Sequence, residues 1–323
     1  TKSIYDELNR AVYTINTQGG VVENTYDDLG RVIKTTAYAQ EIDITAATDV
    51  TTTAALLDTA DPNNVNQYHI YDALSREVFT INTEGQVVEQ EYDLLGRVKK
   101  TIVYKDAVTV TTDSTVADIR AQLPATPTAE DRVTTINYDN LGRVTDTTDA
   151  VNNTTELKYD RAGNNTKIID AKTNKTTVVY DANGRQIYTV DAKGTVAQNV
   201  YDNNGQVIEV IAYATPIDTT SFGDIVSIEE VEVLLEANST KDSHNWFAYD
   251  EVGRQVYAVS ANGEVTETRY RDHIDAYGNV TLDRYNGRIY DVIVYDKAIE
   301  KDGDMSRQGI ASSLADKGYG EQI

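Results

Sequence analysis

One dipeptide recurs through this chain at a fixed distance, and the recurrence limits the fold more than any other feature. Tyr-Asp stands at Tyr138-Asp139, Tyr159-Asp160, Tyr180-Asp181 and Tyr201-Asp202, each 21 residues after the last. Tyr5 and Tyr26, Tyr71 and Tyr92, and Tyr249 and Tyr270 are separated by the same interval. A short fixed period marks a repeat architecture, in which each unit packs only on its neighbours. The 323 residues therefore escape the usual division of a chain this long into two globular domains. The expectation is one continuous array over 1–323.

Around each Tyr-Asp the same residues return. Tyr26, Asp27, Gly30 and Arg31 recur as Tyr92, Asp93, Gly96 and Arg97, and again as Tyr138, Asp139, Gly142 and Arg143. They return once more as Tyr180, Asp181, Gly184 and Arg185, and as Tyr249, Asp250, Gly253 and Arg254. Asn9 and Ser75 replace the Gly in two units, and Asn164 and Gln206 replace the Arg in two others. Asp binds its own turn backbone and Gly supplies positive φ, so D-x-x-G between β-rich runs is a hairpin turn. A second turn follows in the fuller units: Asn16-Thr17-Gln18-Gly19, Asn82-Thr83-Glu84-Gly85, Asp191-Ala192-Lys193-Gly194 and Ser260-Ala261-Asn262-Gly263. Each unit thus reads turn, strand, turn, strand, with strands rich in Val, Ile, Thr and Tyr.

The strand faces are mixed. Leu157 shares a face with Tyr159 and Val178 with Tyr180, but the same face carries Asn24, Gln90, Asn199 and Thr268; the opposite face mixes Val21 with Glu23 and Val87 with Glu89. Tyr13 and Ile15 also share a face, read as that of the repeat tyrosines. This pattern suits a wide sheet held by tyrosine ladders and cross-strand pairs better than a sandwich with a dry core.

Three insertions break the period, each after a Tyr twelve residues past the repeat Tyr: Tyr38, Tyr104 and Tyr213. A fourth follows Tyr295, where Gly287-Arg288-Ile289 mirrors Gly96-Arg97-Val98. The insertions cover about 38–67, 104–133, 213–245 and 295–323. Each is expected to hold one helix, at about 51–59, 115–123, 228–237 and 306–315. Ser114 and Ser227 are the expected caps, the latter with Glu230 as a capping box.

Y-D-x-x-G-R at 21-residue spacing, with the paired N/D-x-x-G turn, resembles the YD-repeat or RHS-repeat family over nearly the whole chain. The resemblance implies an all-β fold with small helical insertions, in which 21-residue hairpins form a strip that spirals into a hollow shell. In bacterial toxin complexes and polymorphic toxins such a shell encloses a toxic C-terminal region, and in teneurins it is part of an adhesion ectodomain. One departure stands out. The bacterial shells close with a self-cleaving aspartate in an Asp-Pro-x-Gly context, whereas the only Asp-Pro here is Asp61-Pro62, followed by Asn63-Asn64. The chain is read as an internal stretch of a longer protein.

Chemistry is sparse. Carboxylates that recur every 21 residues are explained by turns, and the 22 Tyr against 3 Phe and 1 Trp by packing before any sugar-stacking role. His69, His244 and His273 have no ligand spacing, and there is no Cys. No G-x-S-x-G, phosphate-binding loop or dinucleotide fingerprint is present. No catalytic, cofactor-binding or metal-binding residue is assigned, and the chain is not expected to be an enzyme. Calcium is the one cofactor considered, at Asp302-Gly303-Asp304 and Asp272 with Asp275, and neither run matches the twelve-residue loop. A net charge of −23 repels nucleic acid, and no apolar run is long enough to span a membrane. The expected role is a structural segment of a large secreted or surface protein of bacteria. Its partners would be flanking repeats and an enclosed polypeptide of the same protein. The alternative is an adhesion module whose insertions contact a receptor or glycan.

Overall fold

The computed structural model describes residues 1–235, 241–271, 273–274, 280–281, 288–295, 298–299 and 304–317. The chain divides into two compact units, Thr1–Thr155 and Glu156–Ile323. The first contains β1 (Lys2–Tyr5), β2 (Ala11–Ile15), β3 (Gly20–Tyr26), β4 (Val32–Glu41), β5 (Val65–Tyr71), β6 (Glu77–Asn82), β7 (Val87–Tyr92), β8 (Val98–Val103), β9 (Arg132–Tyr138) and β10 (Val144–Thr148). Consecutive strands from β1 to β10 pair antiparallel.

This meander fixes what lies on each edge. The connections β1–β2, β3–β4, β5–β6, β7–β8 and β9–β10 are all Tyr-Asp turns, so those turns share one edge of the sheet. The other edge alternates short turns with the insertions that hold α1 (Val50–Ala54) and α2 (Val116–Arg120).

The turn chemistry sets the register. Gly30 N–H donates to Asp27 C=O and Asp27 N–H to Arg31 C=O, with Gly30 at φ 78°. That is a type I turn closed by a left-handed residue, which inserts a bulge. Pairing accordingly slips at the Tyr, from Thr25↔Lys34 to Tyr26↔Val32. Asn9 and Ser75 hold the same conformation at φ 59° and 61°, so the turn tolerates a side chain there.

In the second unit β11 (Thr154–Tyr159), β12 (Asn165–Ile169), β13 (Lys175–Tyr180), β14 (Gln186–Val190), β15 (Val196–Tyr201), β16 (Val207–Ala212), β17 (Ser243–Tyr249), β18 (Gln255–Val259) and β19 (Val265–Arg271) repeat the pattern, with α3 (Ile228–Glu232) between β16 and β17. A small hairpin of β20 (His273–Ile274) and β21 (Val280–Thr281) precedes β22 (Arg288–Val294). β22 pairs with β19 through Tyr270↔Ile289, the register that Tyr92↔Val98 has earlier. α4 (Arg307–Asp316) follows.

The first three helices are shorter than their expected spans, five residues each. Helices this short have little stability of their own and end where the chain turns apolar residues toward the sheet. After α1, Leu56 and Leu57 pack on the core of Tyr13, Ile15 and Val21. α2 is capped by Thr115, one residue later than expected, because the Ser114 hydroxyl accepts the Thr111 N–H instead. Ser227 caps α3 with Glu230 completing the box, and Ser306 caps α4. Residues 236–237 of the expected third helix lie outside the described residues.

The dry cores differ from the sequence expectation. Tyr13 stands opposite Glu23 and Ile15 opposite Val21, so these four share one face and not the face of Tyr26. Phe79, Ile81, Val87 and Glu89 repeat the set, as do Tyr188, Val190, Val196 and Gln198, and Tyr257, Val259, Val265 and Glu267. Each patch is roofed by an insertion: Ala47 covers the first, Ile119 and Leu123 the second, Val226 and Val231 the third, Ile310 and Leu314 the fourth. The face reads as mixed because its apolar part is three residues per hairpin, with Glu or Gln at the fourth position, enough only for a local roof.

Candidate functional site

The Tyr-Asp turns build one motif over and over. Asp27 Oδ1 accepts the Leu29 and Arg31 N–H groups at 3.0 and 2.8 Å, while Oδ2 accepts Arg31 Nε at 2.7 Å. Asp93, Asp139, Asp181 and Asp250 repeat these contacts with Arg97, Arg143, Arg185 and Arg254. Held by their Asp, Arg31, Arg97, Arg185 and Arg254 place the guanidinium over the Tyr ring of the next unit. Arg31 sits 4.6 Å from the Tyr71 ring centre, Arg97 4.3 Å from Tyr138, Arg185 4.7 Å from Tyr201 and Arg254 4.6 Å from Tyr270.

The tyrosine closes the link. Tyr26 Oη donates to Ala11 C=O at 2.8 Å and Tyr92 Oη to Glu77 C=O at 2.6 Å, both in the preceding hairpin. Tyr138, Tyr180 and Tyr249 donate in the same way to Val98, Asn165 and Val207 C=O. One motif therefore satisfies its own turn and fastens the next hairpin to it. The part-exposed Asp–Arg pair adds little as a charge pair, while the planar stack adds about 0.5–1 kcal/mol per unit. Gly30, Gly96, Gly142, Gly184 and Gly253 hold the turn at φ 76° to 86°. The Arg97 backbone N–H, then its guanidinium, hold the Asp93 carboxyl below the usual range. Where Asn164 replaces Arg it still bonds Asp160, and Gln206 bonds Gly253 C=O of the next turn.

A second constellation escaped the sequence reading. The Tyr that begins each insertion donates into the roofed face: Tyr38 to Glu23 at 2.5 Å, Tyr104 to Glu89 at 2.6 Å, Tyr213 to Gln198 at 2.6 Å and Tyr295 to Glu267 at 2.5 Å. Glu89 is fully buried, and Arg120 of α2 closes over it with two hydrogen bonds, one of 2.8 Å, while resting 5.2 Å from the Phe79 ring. Burial, then the Glu267 carboxylate, pushes the Tyr295 hydroxyl up to about 12. The insertion also bonds backbone to backbone with the short turn: Ile42, Val108, Ile217 and Ile299 N–H donate to Gly19, Gly85, Gly194 and Gly263 C=O. A Cβ at Gly85 would stand 2.3 Å from Val108 O, so glycine is required there by contact as well as by φ. The legible signal was the shared spacing of Tyr38, Tyr104 and Tyr213 from an acid or amide fifteen residues earlier.

Two related clefts lie where the Tyr-Asp turns meet the loop before a helix. One, of about 770 Å³, is lined by Asp27, Arg31, His69, Tyr71, Asp113 and Thr115; the other, about 450 Å³, by Gln206, Ile208, Trp246, Tyr249, Met305 and Arg307. In the first, His69 Nδ1 is 2.8 Å from Glu77, and the Thr80 hydroxyl donates to that carboxylate at 2.6 Å. The hydroxyl thus serves the acid and not the ring, the reverse of the order that would activate a nucleophile. His244 pairs with Glu209 at 2.7 Å and stacks on Trp246. Among the described residues no group of three His, Asp or Glu could hold a metal, and no helix is long and apolar enough to cross a membrane. Asp304 binds Ser306 ahead of α4; Asp272, Asp275, Asp302 and Gly303 lie outside the described residues.

Repeated hairpins joined by this motif define an all-β strip of antiparallel repeats. The RHS-repeat family model matches residues 138–175, and no curated protein matches the chain. In fold the chain is similar to TcdB2–TccC3 lacking its hypervariable C-terminal region, at 12% identity and a TM-score of 0.53, covering 83% of this chain and 13% of that one. It is similar to TcdB2-TccC3-TEV at 13% identity and a TM-score of 0.54, covering 91% of this chain and 15% of that one. The Photorhabdus luminescens Tc holotoxin pore gives 12% identity and a TM-score of 0.52, covering 84% and 13%. The chain thus spans about one seventh of the length of these structures.

Proposed function

We propose that this chain is a non-catalytic wall segment of a secreted bacterial RHS-repeat protein, one continuous array whose hairpins form part of a hollow shell around a polypeptide of the same protein. The observation that carries the reading is the Asp–Arg–Tyr link. It commits the recurrent polar residues to joining one hairpin to the next, and a wall needs that continuity. The repeat residues Tyr26, Asp27, Gly30, Arg31 and their counterparts are its working parts. The likeness in fold to TcdB2–TccC3 supports the same reading. The insertions turn Ile119, Val231 and Ile310 toward the sheet, which suits roofing better than contact with a receptor or glycan.

The test is limited proteolysis of the longer protein that contains this chain, with electron microscopy of the same sample. A closed hollow body, and an internal segment cut only after the shell is denatured, is the expected result. An open rod whose segments are all cut at one rate, or glycan binding abolished by substitutions on the insertions, would overturn it in favour of adhesion.

A further inference from the structure

The outermost residue of a Tyr-Asp turn lies three positions after the Tyr. In the first unit it is leucine at every turn: Leu8, Leu29, Leu74, Leu95 and Leu141. Each is 73% to 77% exposed. All five turns share one edge of β1–β10 and are two strands apart, so the leucines recur about every 9.6 Å. The insertions of this unit start from the other edge; the second reaches back to the Tyr-Asp turns at 112–117, beside Asp28 and Ala73, and leaves the leucines themselves exposed. The turn itself does not require leucine. In the second unit the same position holds Ala162, Asn183, Asn204 and Val252, and Gly184 and Gly205 close those turns at φ 76° and 82°. A row of large apolar side chains with no local purpose marks an interaction surface.

We propose that this leucine edge docks against the same edge of a second copy of the chain, related by a two-fold axis. Three features select that occupant. A second copy has the matching pitch, so every leucine meets a counterpart. Each leucine exposes roughly 130 Å², so two facing rows bury at most roughly 1,300 Å², the lower end of a specific interface. Charge selects the direction. The residues before the leucines are Glu7, Asp28, Ala73, Leu94 and Asn140. A two-fold axis at Leu74 places Leu8 against Leu141 and Leu29 against Leu95, which sets Glu7 beside Asn140 and Asp28 beside Leu94. A parallel arrangement would set each acid on its own copy, and like charges directly opposed are destabilising. The inference needs only the meander of the first unit and does not depend on the shell reading.

Sedimentation equilibrium of the 323-residue chain tests it. The expected result is a monomer–dimer equilibrium that tightens with salt, because salt screens the repulsion of two chains of charge −23 while leaving the leucine contact. Leu29→Asn with Leu95→Asn keeps a side chain that already occupies this turn at Asn183 and Asn204. It should raise the dimer Kd at least about a hundredfold with unchanged circular dichroism. Because the chain has no Cys, Leu74→Cys at the axis should oxidise to a covalent dimer much faster than Leu8→Cys. A monomer at all concentrations to about 100 µM overturns the proposal. So does a dimer that survives both Asn substitutions, or equal cross-linking by the two cysteine variants.

Discussion

Removing the Glu89 carboxylate should release the second insertion from the sheet, and the size of the effect follows from its partners. Tyr104 is 3% exposed, so with Glu89→Ala its hydroxyl loses an acceptor it cannot replace with water, costing about 1–3 kcal/mol. Arg120 is 45% exposed and can turn to solvent, so its loss costs about 1 kcal/mol, well short of a fully buried pair. The space vacated beside Phe79 adds about 1 kcal/mol. The sum is about 3–5 kcal/mol, much of the stability of an ordinary domain. Glu89→Gln is the control, because Gln198 already accepts from Tyr213 at 2.6 Å in the third insertion. It keeps the Tyr104 bond, loses the charge, and should cost about 1 kcal/mol. The sole tryptophan, Trp246, lies in the other unit and is a poor reporter. Urea unfolding by circular dichroism, with hydrogen exchange over 104–123, is the assay. Equal costs for the two variants, or unchanged protection over 104–123, would refute the reasoning.

Gly85 and Gly96 have nearly the same φ, 80° and 81°, but only Gly85 has backbone within contact distance of a Cβ. Gly96→Ala should cost about 1–2 kcal/mol for the left-handed conformation, and Gly85→Ala clearly more, with the excess read from paired denaturation curves. Arg97→Lys keeps the charge but loses the planar stack on Tyr138 and the Nε bond to Asp93; a loss of about 1 kcal/mol in the same assay is expected. Asp6, Asp93, Asp139 and Asp181 are all held below the ordinary carboxyl range, first by the N–H four residues on. Their folded pKa lies below the unfolded one, so their contribution is full above about pH 4 and is lost as pH falls through the folded value. Stability measured from pH 6 to pH 2 should be flat and then fall, and a rise between pH 5 and pH 3 would contradict the assignment.

The hairpins were legible because a Tyr-Asp turn is local. Asp27, Gly30 and Arg31 close it within five residues, and sequence periodicity reports such chemistry directly. The insertions were legible as breaks in the period, and Ser227 with Glu230 was legible as a cap. The roofed face was not. Whether Tyr13 shares the face of the repeat tyrosines or meets Glu23 depends on the bulge at Tyr5 and on the short turn that pairs β2 with β3, and one residue of slip moves every side chain to the other face. The Tyr104–Glu89–Arg120 cluster joins a strand, the start of an insertion and a helix 31 residues past the Glu, a separation no period encodes.

Lys167 shows how the roofing principle extends to a hairpin without an insertion of its own. Eight residues after the repeat Tyr, the roofed hairpins bury Tyr13, Phe79, Tyr188 and Tyr257, whereas the hairpin of β12 and β13 places Lys167 there, 2% exposed. An ammonium in that position must find oxygen, and it does so 55 and 56 residues away, at Phe222 C=O (3.5 Å) and Gly223 C=O of the third insertion, with Asp224 at 3.8 Å. Burial pulls the amine below its ordinary range, and Asp224 opposes the shift. The third insertion therefore covers the face of β14 and β15 with Val231 and reaches back over the neighbouring plain hairpin with the carbonyls at 222–223. An aromatic at that position seals a dry core, and a lysine fastens the rim of a neighbouring roof.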